Sequence, residues 1–199
     1  VNSHLNSVMF NDDFNKQYEK TLPLISNYYS DLGANKELYQ AFIRVKDTKL
    51  NEQQKHIVKE SLRSFELSGV ALDGAKSSRF KEIKEQLSLL SNQFSKNVLQ
   101  ATNSWKKVVS ENALKGFSES ELSKVRAGDN YEINLQVPIY IDLMTYADNR
   151  ELREEVYKAD ISLGFDVGIT SKEFDNRKIM DEILELRSEL SQLVGFSNY

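Results

Sequence analysis

Between Phe80 and Val108 an apolar residue recurs every three or four positions, and no glycine or proline interrupts the run. The series is Phe80, Ile83, Leu87, Leu90, Phe94, Val98, Ala101, Trp105 and Val108, a mean step of 3.5 residues. Such a period is the seam of a helix that keeps one face buried along its length. Starting near Lys76, the spacing predicts a helix over about 76–110. At 1.5 Å rise per residue it would be roughly 50 Å long, more than the diameter of a small domain. A chain built around such a rod has to be mainly α.

The flanking segments repeat the helical period. Phe14, Tyr18, Leu22, Ile25, Tyr29 and Leu32 recur at steps of three and four. Gly33 follows at the stop position, where a left-handed residue is favoured, and Pro23 inside the pattern predicts a kink or a break. Leu38, Phe42 and Val45 mark a second helix. In "NEQQ", Asn51 and Gln54 have the spacing of a capping box, and Ile57, Leu62 and Phe65 carry that helix on to Gly69.

After the long helix, Ser118 and Glu121 form another capping box, with Phe117 placed to staple onto Leu122. Gly128, Asp129 and Asn130 predict a turn. Tyr131, Ile133, Leu135 and Val137 alternate with polar residues, the pattern of one strand with one buried face. Pro138 can open the next helix. Asp148 and Glu151 read as a further cap, and "GFDVG", residues 164–168, as a loop. Asp175 is the expected cap of a last helix with the seam Ile179, Ile183, Leu186, Leu190 and Leu193, closed by Gly195. The expectation is one multi-helix domain over 1–199, with at most one or two short strands near 131–137 and a candidate sub-boundary near 112–117.

Composition removes several function classes. The 26 lysines and arginines are interleaved with 30 acidic residues, so no basic block tracks a phosphate backbone and nucleic acid is not an expected partner. No apolar run approaches the roughly 20 residues of a membrane span, and a membrane is not an expected partner either. The absence of cysteine excludes disulfides, a catalytic thiol and thiolate metal sites, and fits a cytoplasmic protein. The opening "VNSHLNSVMF" lacks the basic start and apolar core of a secretory signal. No methionine precedes it, and both ends are expected to lie inside a longer protein.

Residues with catalytic chemistry are few. The two histidines, His4 and His56, fall on different predicted elements, and no H-E-x-x-H pair is present. Two surface histidines are the plainer reading against a zinc site completed by a distant carboxylate. Asp12 with Asp13, Glu119 with Glu121, and Glu154 with Glu155 read as helix starts and solvated faces before they read as an acid–base pair. Trp105 sits on the long seam, as core. Of Tyr28 and Tyr29, one is expected buried and one exposed. No catalytic residue and no metal ligand is therefore assigned, and no substrate-binding residue can be named.

Three stretches in order carry a resemblance. They are "SFELSGVAL" (64–72) with "RFKEIKEQLSLLSNQFSKNVLQATNSW" (79–105), "VPIYIDLMTYADNRELREEVYKA" (137–159), and "FDNRKIMDEILELRSELSQLVGFSNY" (174–199). Together they resemble the N-terminal part of the thimet oligopeptidase family of zinc metallopeptidases. Asn97, Thr102, Trp105, Arg187, Glu189, Gly195 and Tyr199 are the most specific matching positions. After Ala159 the chain departs from the family's aromatic and arginine-containing loop and reads "DISLGFDVGITSKE".

The resemblance implies a long, nearly all-helical enzyme that cuts short peptides, with its zinc motif far downstream. There a glutamate general base would activate a zinc-bound water. Zinc would be the parent's cofactor and is not expected on this chain, which is expected to be inactive alone. Its partners would be short peptides and the catalytic C-terminal half, and its part would be one wall of the substrate channel, limiting substrate size. The alternative is a helical scaffold or interaction module. A piece of wall should expose an apolar patch larger than a few hundred Å²; a finished module should show a polar surface with one bounded groove.

Overall fold

The computed structural model describes residues 2–9, 11–165 and 172–199. They form two compact units, one of residues 1–92 and 181–199, the other of residues 93–180. The long helix is present as α5, Gly74–Ser104, 31 residues, and it contributes to both units.

Unit 1 is helical. It contains α1 (Asn2–Val8), α2 (Asp12–Gly33), α3 (Lys36–Lys46), α4 (Glu52–Leu67), the first part of α5 and most of α9 (Arg177–Leu193). Asparagine starts three of these helices. The side chains of Asn11, Asn35 and Asn51 accept from the backbone N–H of Phe14, Leu38 and Gln54, at 2.8, 2.9 and 2.9 Å. Each removes one of the orphan donors of a first turn. The capping box expected at Asn51 is complete, since Gln54 also accepts from the Asn51 N–H at 3.0 Å. The helix α4 ends in a Schellman motif: Val70 N–H donates to Phe65 C=O and Gly69 N–H to Glu66 C=O, with Gly69 at φ 78°. The same pairing closes α9 at Gly195.

Two expectations in unit 1 change. The break expected at Pro23 does not occur, and α2 runs unbroken for 22 residues. Gly33 is its last residue and is not left-handed. It is needed for space: a Cβ there would lie 2.5 Å from Ser68 Cβ. The core of this unit is thin, with Phe80, Ile83 and Leu190 buried together and Leu72, Leu87, Leu186, Leu193 and Val194 packed around them.

Unit 2 holds the only sheet among the described residues. Its strands are β1 (Lys106–Val109), β2 (Arg126–Ala127) and β3 (Asn130–Asn134), antiparallel in the order β1-β3-β2. Around them lie α6 (Glu119–Val125), α7 (Val137–Tyr146) and α8 (Arg150–Ile161). The expected strand is thus central, and Tyr131, Ile133 and Leu135 are buried on one face as the alternation required. Val137 instead begins α7, with Pro138 in its first turn.

The long helix is shorter than the seam suggested. It stops at Ser104, and residues 106–109 turn into β1, with Lys107 opposite Ile133 and Val109 opposite Tyr131. Val108 kept the 3.5 period by coincidence and is 63% exposed, while Val109 is buried. The β-branched pair favours a strand, and β3 offers backbone groups to pair with. The cap of α8 also moves by one residue, from Asp148 to Asn149, whose side chain accepts from Leu152 N–H at 3.1 Å. Asp148 N–H is engaged elsewhere, donating to Lys115 C=O at 2.7 Å. At α6 the Ser118–Glu121 box is as expected, and Phe117 and Leu122 share the core of this unit. Of "GFDVG", residues 166–168 lie outside the described residues.

Candidate functional site

The residues with chemical potential are dispersed. His4 lies exposed on α1 and His56 exposed on α4. Among the described residues no group of three or more histidine, aspartate or glutamate side chains is placed to hold a metal. The donor set therefore does not fit zinc, and no step of a reaction is routed through this chain's own residues. Asp12 and Asp13 occupy the first turn of α2, and Glu119 and Glu121 that of α6, where negative charge suits the helix dipole. Glu121 accepts from both the Ser118 amide and its hydroxyl, and these bonds hold its carboxyl below the ordinary range. Glu154 pairs with Lys158 along α8 and Glu155 with Lys107 of β1.

The positions that carried the resemblance are structural. Asn97 is buried, donates to Asn176 Oδ1 at 2.8 Å and accepts from Gln93 at 2.6 Å. Thr102 donates to Val98 C=O. Trp105 lies just past the end of α5 and packs on the core of unit 2. Glu189 receives a two-pronged bond from Arg79, with Nε at 2.7 Å and Nη2 at 2.8 Å. This pairing lowers the Glu189 pKa and raises that of Arg79. The Arg187 guanidinium lies 5.0 Å from the centre of the Tyr199 ring.

What the sequence did not reveal is a groove in unit 1 of about 720 Å³. Its floor is apolar: Leu38 and Phe42 of α3, Phe65 of α4 and Phe80 of α5, with the Phe42 and Phe65 rings 5.6 Å apart. Tyr29 and Leu32 of α2 and Ile57 of α4 stand on its lip, 64%, 40% and 61% exposed. Its polar groups are the hydroxyls of Ser30, Ser61, Ser64 and Ser68, the His56 ring, Glu60 and the Lys84 amine. No serine among them is hydrogen-bonded to the imidazole, so the arrangement is built to bind and not to activate a nucleophile. The signal lay in α2, where Leu24, Ile25, Tyr28, Tyr29 and Leu32 supply more apolar side chains than one buried face takes up. Tyr28 and Tyr29 are both 64% exposed, not one in and one out, with their rings edge to face at 5.3 Å.

Comparison with known proteins gives these features a family. Residues 1–77 match the family described as the N-terminal domain of neurolysin and thimet oligopeptidase. Over 99% of its length the chain is 44% identical to oligopeptidase A of Escherichia coli strain K12, covering 31% of that protein. It is 43% identical to oligopeptidase A of Salmonella typhimurium, again over 99% of this chain and 31% of the relative. For oligopeptidase A of Haemophilus influenzae the figure is 40%, over 99% of this chain and 30% of the relative. The chain thus spans about a third of the length of the curated relatives it matches. With the long α5, the Asn97 and Glu189 contacts and these end-to-end identities, the chain belongs to the thimet oligopeptidase family, as an oligopeptidase A-like N-terminal part.

Proposed function

We propose that the chain is the non-catalytic N-terminal helical part of a zinc metallopeptidase that hydrolyses short peptides. In that protein it forms one wall of the substrate channel and limits the size of what enters. The metal and the catalytic groups belong to sequence outside these 199 residues. The whole protein works in the cytoplasm, a reading supported by the absence of cysteine from the chain.

The observation that carries this reading is the alignment over 99% of the chain with 31% of a known oligopeptidase. It is joined by the lack of a metal-holding cluster among the described residues. The test is a chimera in which this chain replaces its aligned stretch in the Escherichia coli enzyme. The chimera is expected to cleave a quenched short peptide in a zinc-dependent manner and to leave folded proteins uncut. The 199-residue chain alone is expected to cleave nothing, with or without zinc. A folded, zinc-loaded chimera without activity would refute the proposal, as would peptidase activity of the chain by itself.

A further inference from the structure

The groove described above does not end at Ser68. A second depression of about 570 Å³ continues it and shares Ser64, Ser68 and Lys84. Its far side is Leu190 and Val194 of α9 with Phe196 and Tyr199 beyond. The two make one trough along α4 from His56 to Ser68, which at 1.5 Å per residue is roughly 18 Å, about three turns of helix. We propose that this trough seats an amphipathic α-helix with an apolar face and an acidic edge. That helix comes from the two-thirds of an oligopeptidase A-like protein that this chain does not span. The inference rests on the functional reading above and names the surface that reading needs.

Three features specify the occupant. The walls are apolar and open at the scale of helix-in-groove recognition, where side chains at i, i+3, i+4 and i+7 fill the floor. Ser30 is only 5% exposed, lines the groove and has no partner for its hydroxyl. A buried unpaired hydroxyl costs about 1–3 kcal/mol, and a polar side chain on an incoming helix would satisfy it. Lys84 stands where the two depressions meet and, among the described residues, forms no ion pair. Its neighbours three and four positions away on α5 are Phe80, Lys81, Leu87 and Ser88, so its own helix offers no carboxylate on that face. The only carboxylate lining either depression is Glu60, which already faces Arg63 at 3.8 Å. An acidic edge would meet Lys84.

The absence of cysteine makes the trough easy to interrogate. Ile57→Cys puts a thiol on the exposed lip, and Glu52→Cys, off the trough on the same helix, is the control. Each is made in the chain alone and in the Escherichia coli chimera, and maleimide labelling at that site is read by peptide mass spectrometry. In the chimera, labelling at 57 is expected to slow at least about tenfold relative to the chain, with labelling at 52 unchanged, as for a site reached only by local opening. Adding Lys84→Glu to the chimera is expected to return much of the labelling at 57. Equal labelling at 57 in chain and folded chimera would overturn the inference. So would protection in the chain alone that grows with concentration, since the occupant would then be a second copy. Peptidase activity of the same chimera is read separately. An active chimera with an open trough sinks this inference alone; an inactive one with a covered trough supports it and sinks the functional proposal.

Discussion

Asn97 and Asn176 are 79 residues apart in sequence and meet at 2.8 Å inside unit 2, 8% and 1% exposed. Asn176 also donates its side chain to Phe94 C=O at 3.3 Å and its backbone N–H to Gly164 C=O at 2.7 Å. Every polar group of the pair has a partner, which is what makes a buried amide tolerable. Asn176→Ala would strand the Asn97 amide and the Phe94 carbonyl. It is expected to lower unfolding stability by about 2 kcal/mol, measured by urea denaturation. A loss within a few tenths of wild type would show that water replaces the bond. Gly33 poses the opposite problem, one of space. A methyl group there meets Ser68 Cβ at 2.5 Å, so Gly33→Ala is expected to destabilise by about 1–3 kcal/mol despite alanine's better helix propensity. Ser68→Gly, which removes the obstructing Cβ, should recover part of the loss in the double variant; strict additivity would refute the contact.

At the scale of elements, α5 and α9 are joined by the Arg79–Glu189 pair. Its hydrogen bonds hold the Glu189 carboxyl below its ordinary value of 4.5. A carboxyl whose pKa is depressed by folding contributes stability above its unfolded pKa and loses it as pH falls through the folded value. Both partners are about two-fifths exposed, so water screens the pair and the effect is small. Glu189→Gln is expected to be less stable than wild type near neutrality, with the gap closing as pH drops below about 4. Urea midpoints taken across that range read it, and a gap independent of pH would show that the carboxylate's charge contributes nothing.

Some of these elements were legible before the structure, and the reason is locality. Asn51 with Gln54 and Ser118 with Glu121 could be read because a capping box lies within four residues. The Tyr131–Leu135 alternation could be read because a strand's period declares itself within five. The end of α5 could not, because what stops the helix at Ser104 is pairing with Asn130–Asn134, some 25 residues on. Tyr28 and Tyr29 were misjudged for the same reason. Their exposure depends on what packs against α2, and a helical period does not say whether its apolar face is covered. The groove was illegible as well, since three helices and the start of α5 assemble it from residues 29 to 84.

Across the whole molecule the packing is uneven. Unit 2 buries thirteen hydrophobic residues in one cluster, with Ile133, Leu143, Val156 and Ala159 at 0% exposure. The main cluster of unit 1 holds three, and α3 has no buried residue at all. Burial supplies most of the free energy that opposes chain entropy, at about 25 cal/mol per Å² of apolar surface removed from water. Unit 1 should then open more readily than unit 2, in the manner of separate cooperative segments. Native-state amide exchange is expected to be slowest in β3 and α8 and at least about tenfold faster in α2 and α3, with the difference shrinking in denaturant as global unfolding takes over. The weakness of unit 1 and its open trough have one source: apolar side chains such as Tyr29, Leu32 and Ile57 with nothing to cover them. If a helix from elsewhere in the longer protein fills the trough, exchange in α2 and α4 should slow in the chimera while β3 and α8 stay as they are. Uniform protection across both units in the chain alone would break that link. It would mean that the thin core of unit 1 already suffices for its stability.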